Sequence, residues 1–257
     1  MLAYESSGQG IPLVLIHAFP LFSSMWKPQM KNLERKGRVI ALDLPGFGRS
    51  PHKAKTSISK MAQEIARLLD SINVKEPAMI AGLSMGGYVA FEFFRQFPKR
   101  VRALGLFSTR AGADTPEVRE KRLKTANEIQ RKGLESFAKI ILPNLVGKTT
   151  IESNPELIRE ITGMISLNNR EGVANALFAM AERRDSIDLL ASIKCPTLII
   201  AGDEDALIPF SESETMHTQI ANSQFHLLPK AGHLVNLEQP AAFQKVFEKF
   251  LIQLTNR

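Results

Sequence analysis

Short apolar runs alternate along this chain with longer segments in which apolar residues recur at helical spacing. A short apolar run bounded by turn residues is typical of a strand covered on both faces, and the longer spacing is typical of an amphipathic helix. The alternation predicts an α/β fold with a mostly parallel sheet and helices on both of its faces. The predicted strands are 2–5 (at an edge), 12–17, 38–42, 78–81, 101–107, 197–201 and 223–228. The predicted helices outside the middle of the chain are one through Trp26 and Met30, capped by Ser23 or Ser24, and 57–72, 88–97, 186–193, 209–220 and 240–254.

The alternation lapses in the middle of the chain, where helical patterns follow one another with no strand-like run. We therefore predict a core domain of residues 1–114 and 186–257, with a helical cap of residues 115–185. An insertion after the carboxyl end of a strand lies over the place where ligands bind in open α/β sheets. This favours a cap over a substrate site, and the alternative is a structural appendage. The predicted cap helices are 116–132, 134–141, 155–167 and 171–182.

The composition is that of an ordinary globular protein, with 44% apolar and 23% charged residues in 257. The first ten residues lack the apolar segment of a secretory signal, and no apolar run is long enough to span a membrane. We therefore expect a cytoplasmic protein without membrane association. The single cysteine, Cys195, cannot form an internal disulfide or a cysteine-based metal site, and is expected to be inert packing.

The formal charge of +7 raises the question of nucleic acid. The basic residues are densest at 119–124 and 131–132, on a predicted helix where glutamates such as Glu117 and Glu120 are interleaved. That pattern favours a solvated helical face over a phosphate-binding one, so no nucleic acid partner is expected.

A candidate nucleophile lies where the fourth predicted strand gives way to a helix. The triplet Gly82-x-Ser84-x-Gly86 matches the G-x-S-x-G turn, which lifts a serine above the edge of a sheet. The turn is sharp, so a Cβ on either flank would collide with its neighbours. The following helix directs its N-terminal amides at whatever the serine attacks. The triplet alone is weak evidence, and its strand–turn–helix context strengthens it.

Attack by a serine on a carbonyl needs a base, an acid that orients the base, and donors for the oxyanion. Of the later histidines, His233 lies in a loop just past the last predicted strand, at the same edge of the sheet as Ser84. It is therefore the predicted base. The acid is sought after strand 197–201, where Asp203 is nearer the strand and Asp205 reaches further. Spacing alone leaves the choice between these two open.

On these residues the chain resembles α/β-hydrolase fold enzymes of the capped esterase and lactonase group, such as 3-oxoadipate enol-lactonases, haloperoxidase-like perhydrolases and small carboxylesterases. The resemblance implies that Asp205 is the acid and that the backbone amides of Met85 and Phe19 form the oxyanion hole. It implies no cofactor and no metal, and it leaves a homo-oligomer open. The matching segments are 17–20, 43–50, 82–87, Gly202-x-x-Asp205 and Gly232-His233-x-x-Asn236-x-Glu238-x-Pro240.

The first loop departs from the family pattern, because this chain has His17-Ala18 where the family usually has His-Gly. If the second position needs a positive φ, Ala18 carries modest strain there. His17 precedes the serine, which is the wrong chain order for the base. We therefore expect it to fix the loop.

Several further residues are candidate substrate contacts, and most of them have a structural alternative. Arg110 is expected to bind a substrate carboxylate or, more simply, to pair with Asp114 or a carboxylate of the cap. Three apolar candidates, Trp26, Phe178 and Met180, have core packing as the alternative. Leu207 and Leu234 are also expected to contact substrate.

These features together predict a serine hydrolase acting on a small ester or lactone. A perhydrolase, in which peroxide attacks the acyl-enzyme, would share the same residues. A non-catalytic binding protein on the same fold is the alternative of another class, and it would not need all of Ser84, Asp205 and His233.

Overall fold

The computed structural model describes residues 1–52 and 56–255. Its centre is a seven-stranded sheet in the order β1-β3-β2-β4-β5-β6-β7. The edge strand β1 runs antiparallel to β3, and the other pairs are parallel. The strands are β1 (Tyr4–Ser7), β2 (Pro12–Ile16), β3 (Arg38–Leu42), β4 (Ala78–Leu83), β5 (Val101–Phe107), β6 (Thr197–Gly202) and β7 (Ser223–Leu228).

The α-helices fill the segments between the strands and form a separate group after β5. The helices of the core are α1 (Lys27–Leu33), α2 (Ile58–Ser71), α3 (Met85–Gln96), α9 (Ile187–Leu190), α10 (Phe210–Gln219), α11 (Val235–Glu238) and α12 (Pro240–Thr255). The group after β5 comprises α4 (Pro116–Lys132), α5 (Leu134–Leu145), α6 (Lys148–Ser153), α7 (Pro155–Ser166) and α8 (Arg170–Ala181).

The middle of the sheet is covered on both faces. Every residue of β2, β4 and β6 is buried, as their nearly continuous apolar sequences predict. One side of the core is an aromatic cluster in which Trp26 and Phe243 both pack against Phe107, with ring centroids 6.2 and 5.0 Å away. The predicted α/β architecture, a mostly parallel sheet with a helical insertion, is confirmed.

Helices α4–α8, which we call the cap, are inserted between β5 and α9. Within the cap, α4 packs on α8 and α5 packs on α7. The two ends of the insertion lie side by side, because the Ser186 amide donates to the Ala111 carbonyl at 3.0 Å and the Ala113 amide donates to the Asp185 carboxylate at 2.8 Å. The chain thus enters and leaves the cap at one point. The domain boundaries at 115 and 185 stay a prediction.

The strand order reverses direction beside β2, since β3 lies on one side of it and β4 on the other. The loops that follow β2 and β4 diverge at this point, and such a switch point leaves a crevice at the carboxyl edge of a parallel sheet. The loop starting at His17 follows β2, and Ser84 follows β4. The fold therefore brings the two predicted halves of the oxyanion site to one crevice.

One predicted helix start is wrong. Ser23 and Ser24 lie inside a 3₁₀ helix (Ser23–Trp26) that leads into α1, and neither caps it with its side chain. Instead the buried Asp43 carboxylate accepts a hydrogen bond from the Ser23 amide at 2.8 Å. The acceptor for this helix end comes from the loop after β3, twenty residues away, where local sequence gives no sign of it.

In the part of the chain that the structure describes, no helix is both long and apolar enough to cross a membrane.

Candidate active site

Ser84 joins β4 to α3 in a backbone conformation that residues with a side chain rarely adopt, with φ of 56° and ψ of −113°. Its amide donates to the Phe107 carbonyl at 2.9 Å, and its carbonyl accepts from the Thr109 hydroxyl at the same distance. These two bonds to the end of the neighbouring strand β5 hold the turn. The serine side chain is consequently fixed at the first turn of α3, where the helix dipole favours negative charge.

The glycines around Ser84 are required by space. A Cβ at Gly82 would lie 2.1 Å from the carbonyl of Gly86, and one at Gly86 would lie 2.3 Å from the Ile16 carbonyl oxygen. A Cβ at Gly87 would lie 2.4 Å from the Thr109 hydroxyl oxygen. The strand, turn and helix therefore pack backbone against backbone at this point.

His233 and Asp205 form a buried pair on two neighbouring loops. The Nδ1 atom of His233 lies 2.8 Å from Oδ2 of Asp205, and their side chains are 2% and 0% exposed. The other carboxylate oxygen, Oδ1, accepts from the amides of Leu207 and Ile208 at 2.9 and 3.0 Å. Asp205 is thus held by its own loop while it binds the imidazole. Asp203 instead accepts a long bond of 3.4 Å from the Ala231 amide.

His17 is fully buried and fixes the loop after β2. Its Nε2 atom accepts from the Leu44 amide at 3.0 Å, so its Nδ1–H donates to the Ala18 carbonyl at 2.9 Å. Burial lowers the pKa of His17, although the Ala18 carbonyl and Asp43 oppose that shift. The ring is therefore neutral and structural, in line with the role expected for it.

The loop after β2 carries Phe19, and helix α3 begins with Met85. The amide of the first residue of a helix has no acceptor within the helix, which leaves the Met85 amide available beside Ser84. The Phe19 ring packs on Phe137 of α5, with ring centroids 5.9 Å apart. The described non-glycine residues with positive φ are Asn73, Ser84, Ser108 and Lys230. Ala18 is not one of them, so the backbone strain considered for Ala18 in the sequence analysis does not arise.

A cavity of about 380 Å³ lies between the cap and the carboxyl edge of the sheet. The core contributes Ser84 and His233, and the cap contributes side chains from three helices, so cap and core enclose it together. The other lining residues are Phe19, Tyr88, Arg110, Ala206, Leu207 and Ile208 from the core, and Val118, Lys121, Arg122, Thr125, Phe137, Ile140, Ile141, Asn144, Leu145, Leu177 and Met180 from the cap.

The charged residues on the cavity wall are cations. Arg122 is paired with Asp114 at 2.6 Å, and Arg183 reaches the same carboxylate at 2.7 Å. Burial raises the pKa of Asp114, but the hydrogen bonds and charges of the two arginines outweigh it and lower the pKa overall. An ion pair of Arg110 with Asp114 or with a carboxylate of the cap was the expected structural role. Arg110 instead lies 3.9 Å from Glu212 of α10. Its Nε atom is buried and has no hydrogen-bond partner among the described residues.

The apolar candidates divide between the cavity and the core. Leu207 lines the cavity. Trp26 is fully buried in the aromatic cluster, which is the core position that was its alternative. Leu234 is fully buried beside His233 and does not line this cavity, in contrast to the substrate contact predicted for it. Phe178 packs against the core cluster, while Leu177 and Met180 of the same helix line the cavity. Burial raises the pKa of the Cys195 thiol to about 11, which fits inert packing.

Sequence reasoning missed several cavity residues. Tyr88 lies one helical turn after Ser84, and that spacing places both on one face of α3. Lys121 and Arg122 were assigned to a solvated helical face, whereas both line the cavity. The rotation of α4 about its axis decides which of its side chains face the cavity. That rotation depends on the packing of α4 against α8.

Comparisons with known proteins agree with this fold. Residues 11–240 match the family model described as alpha/beta hydrolase fold. Among curated proteins, 3-oxoadipate enol-lactonase 1 of Acinetobacter baylyi is 29% identical over 227 residues, which are 88% of this chain and 83% of that protein.

Two solved structures show the similarity in three dimensions. A thermophilic esterase from Thermogutta terrifontis, described as malate bound, is 40% identical with a TM-score of 0.96, over 98% of this chain and 93% of that one. The enol-lactonase from Burkholderia xenovorans LB400 is 26% identical with a TM-score of 0.90, over 98% and 96% of the two chains.

Proposed function

Since this chain belongs to the alpha/beta hydrolase fold family, we propose that it is a serine hydrolase that cleaves small carboxylic esters or lactones with Ser84, His233 and Asp205. The observation that carries this proposal is the 2.8 Å hydrogen bond between His233 and Asp205, beside a cavity that both Ser84 and His233 line. The esterase and lactonase relatives support the same reaction class.

In the first half of the reaction, Ser84 attacks the carbonyl carbon of the substrate. His233 takes the serine proton on Nε2, and Asp205 holds the Nδ1–H and stabilises the imidazolium that forms. His233 then gives the proton to the departing alkoxide oxygen. An ester releases its alcohol here, whereas the opened lactone stays attached through its acyl group.

The negative charge of the tetrahedral intermediate forms on the carbonyl oxygen. The amides of Met85 and Phe19 are the donors that receive it, and the N-terminus of α3 adds a favourable dipole. Such donors are most effective where water is excluded, and both residues are more than nine-tenths buried.

In the second half, water attacks the acyl-enzyme while His233 takes a proton from it. Collapse of the second intermediate returns the proton to Ser84 and releases the carboxylic acid. The same acyl-enzyme attacked by hydrogen peroxide would yield a peracid, so an assay with acetate and peroxide measures that branch.

Ser84→Ala tests the proposal. Hydrolysis of short p-nitrophenyl esters and labelling by a fluorophosphonate probe should both be lost, while Ser211→Ala, exposed on α10, should retain both. A Ser84→Ala protein that keeps most of its ester hydrolysis would overturn the assignment. Wild-type protein that takes up no probe would favour the non-catalytic binding alternative.

The cavity wall favours a second, narrower candidate, an esterase or lactonase for substrates that carry a carboxylate. Arg110, Lys121 and Arg122 line the cavity, and no aspartate or glutamate does so within the described part of the chain. The Nε atom of Arg110 lacks a partner among the described residues, as noted above. The malate in the description of the Thermogutta esterase is a dicarboxylate, which agrees with this candidate.

A further inference from the structure

Two glutamates that take no part in the proposed mechanism reach the same turn of the cap. Glu204 directly precedes Asp205, and Glu238 ends helix α11, a few residues after His233. The turn links α5 to α6 and contains Gly147, the residue before α6. We call this contact the clasp, which consists of Glu204, Glu238, Gly147, Thr149 and Thr150.

Glu238 binds the cap with one oxygen and the loop of His233 with the other. Its Oε2 accepts from the Gly147 amide and the Thr150 hydroxyl, each at 2.7 Å. Its Oε1 accepts from the Leu234 amide at 3.1 Å. Burial raises the pKa of Glu238, and these hydrogen bonds oppose that shift.

The donor on the core side is the residue that directly follows His233. The Leu234 amide donates to the Glu238 carboxylate at 3.1 Å and also to the Leu145 carbonyl of the cap at 3.2 Å, so the main chain is held immediately after the histidine. A side chain moves with its own backbone. The direction of the His233 ring toward Ser84 therefore depends on this carboxylate as well as on Asp205.

Glu204 fastens the same turn to the loop of the acid. Its two oxygens accept from the amide and the hydroxyl of Thr149, at 2.8 and 2.6 Å. Burial raises the pKa of Glu204, but these bonds and the charges of Lys148 and Lys230 outweigh burial and lower the pKa overall. Glu204 is therefore a carboxylate at neutral pH.

At the centre of the clasp the cap and core backbones touch. A Cβ on Gly232 would lie 2.1 Å from the Gly147 nitrogen, and a Cβ on Gly147 would lie 2.9 Å from the Gly232 nitrogen. There is no room for a side chain at either glycine of this contact. The residue before His233 is consequently in direct contact with the cap.

We propose that Glu238 is a positioning residue for His233, which holds the main chain next to the histidine while its other oxygen binds the cap. This inference rests on the proposed function, in which His233 is the base. Glu238 touches neither substrate nor reacting atoms and acts through the backbone amide that directly follows the histidine.

Glu238→Gln tests the proposal, because both oxygens accept hydrogen bonds and an amide can replace only one of them. We expect kcat for a short ester and the rate of fluorophosphonate labelling to fall by the same factor, about 10- to 100-fold, with KM changed less than about threefold. Glu214→Gln, exposed on α10, should behave as wild type.

Thr150→Val separates the two sides of Glu238, since it removes a donor on the cap and leaves the loop of His233 bonded. Its kcat should fall by less than about threefold, a shift below that expected of a misplaced catalytic group. A loss as large as that of Glu238→Gln would mean that Glu238 acts through the cap alone, which would overturn the positioning role.

A purely structural Glu238 would lower the melting temperature and leave the labelling rate of folded protein at the wild-type value, which would also overturn the proposal. If Glu238→Gln does not fold, Glu238→Asp, which keeps the charge and shortens the reach, is measured with the same two outcomes. Absence of labelling in wild-type protein would instead remove the proposed function itself.

Discussion

The Asp205 carboxylate lies 2.8 Å from Nδ1 of His233 through one oxygen and binds two amides of its own loop through the other. The imidazole is thus oriented by a carboxylate that cannot rotate without losing two hydrogen bonds. The carboxylate of Asp203, two residues earlier, instead accepts a 3.4 Å hydrogen bond from the Ala231 amide.

We predict that Asp205→Asn lowers kcat for a short ester by roughly 10³- to 10⁴-fold, because an amide at this position favours the wrong tautomer of the base. Asp203→Asn should leave kcat within about threefold, since its carboxylate binds the Ala231 amide and the imidazole is bound by Asp205. Steady-state kinetics with p-nitrophenyl acetate measures both. The opposite ranking would transfer the role of acid to Asp203.

We predict that Gly82→Ala destabilises the protein by about 3 kcal/mol and abolishes activity, because the added methyl group must displace the backbone at Gly86. Gly163→Ala is the matched control, as Gly163 is exposed in helix α7 and a Cβ there meets nothing within 4 Å. It should gain about 0.5–1 kcal/mol. Chemical denaturation gives both values, and equal effects of the two substitutions would contradict this account of the turn.

We predict that His17 makes the protein less stable in mild acid. Burial lowers its pKa in the folded state, whereas the unfolded chain takes up the proton near the ordinary value of about 6.5. The unfolded state therefore binds more protons as the pH falls below that value, and the free energy of unfolding decreases by up to about 1.4 kcal/mol per pH unit until the folded pKa is reached.

Denaturation of wild type and His17→Gln at about pH 7.5 and about pH 5.5, on either side of the ordinary histidine pKa, measures this effect. The variant should be less stable at the higher pH and should lose less stability on acidification. Equal losses would show that His17 takes up no proton preferentially in the unfolded state.

We predict that Arg110 selects substrates with a carboxylate. In Arg110→Gln, the ratio of kcat/KM for a p-nitrophenyl hemisuccinate to that for p-nitrophenyl butyrate should fall about tenfold, the loss of one charge-assisted hydrogen bond. Arg119→Gln, half exposed on α4, should leave the ratio unchanged. An unchanged ratio in Arg110→Gln would remove the carboxylate-specific candidate and leave the broader esterase in place.

Much of the core could be predicted from the sequence, because local pattern decides it. The bounds of β3, β5 and β7 agree with those predicted, since each is a run that differs sharply from the turn residues beside it. The helix predicted to end at residue 141 instead continues past Pro143 to Leu145. Leu145 is 1% exposed, and its burial outweighs the unfavourable proline.

The remaining features depend on contacts between distant segments. The short helices α6 and α11 were not predicted, and they lie where Glu238 joins Gly147 across 91 positions of the chain. Likewise the lining of the cavity depends on how the cap helices are rotated over the sheet, as the position of Lys121 shows. Periodicity identifies an apolar face and does not reveal which polar side chains meet across an interface.

The two ends of the cap lie side by side, where the Ser186 amide binds the Ala111 carbonyl, so the cap is an insertion attached to the core at one place in the chain. A different helical segment could be inserted at this attachment point while the order of the seven strands and the loops of Ser84, Asp205 and His233 stayed as they are. Evolution can therefore replace the cap residues that line the cavity without changing the catalytic loops of the core, provided that each new insertion supplies hydrogen-bond donors for Glu204 and Glu238.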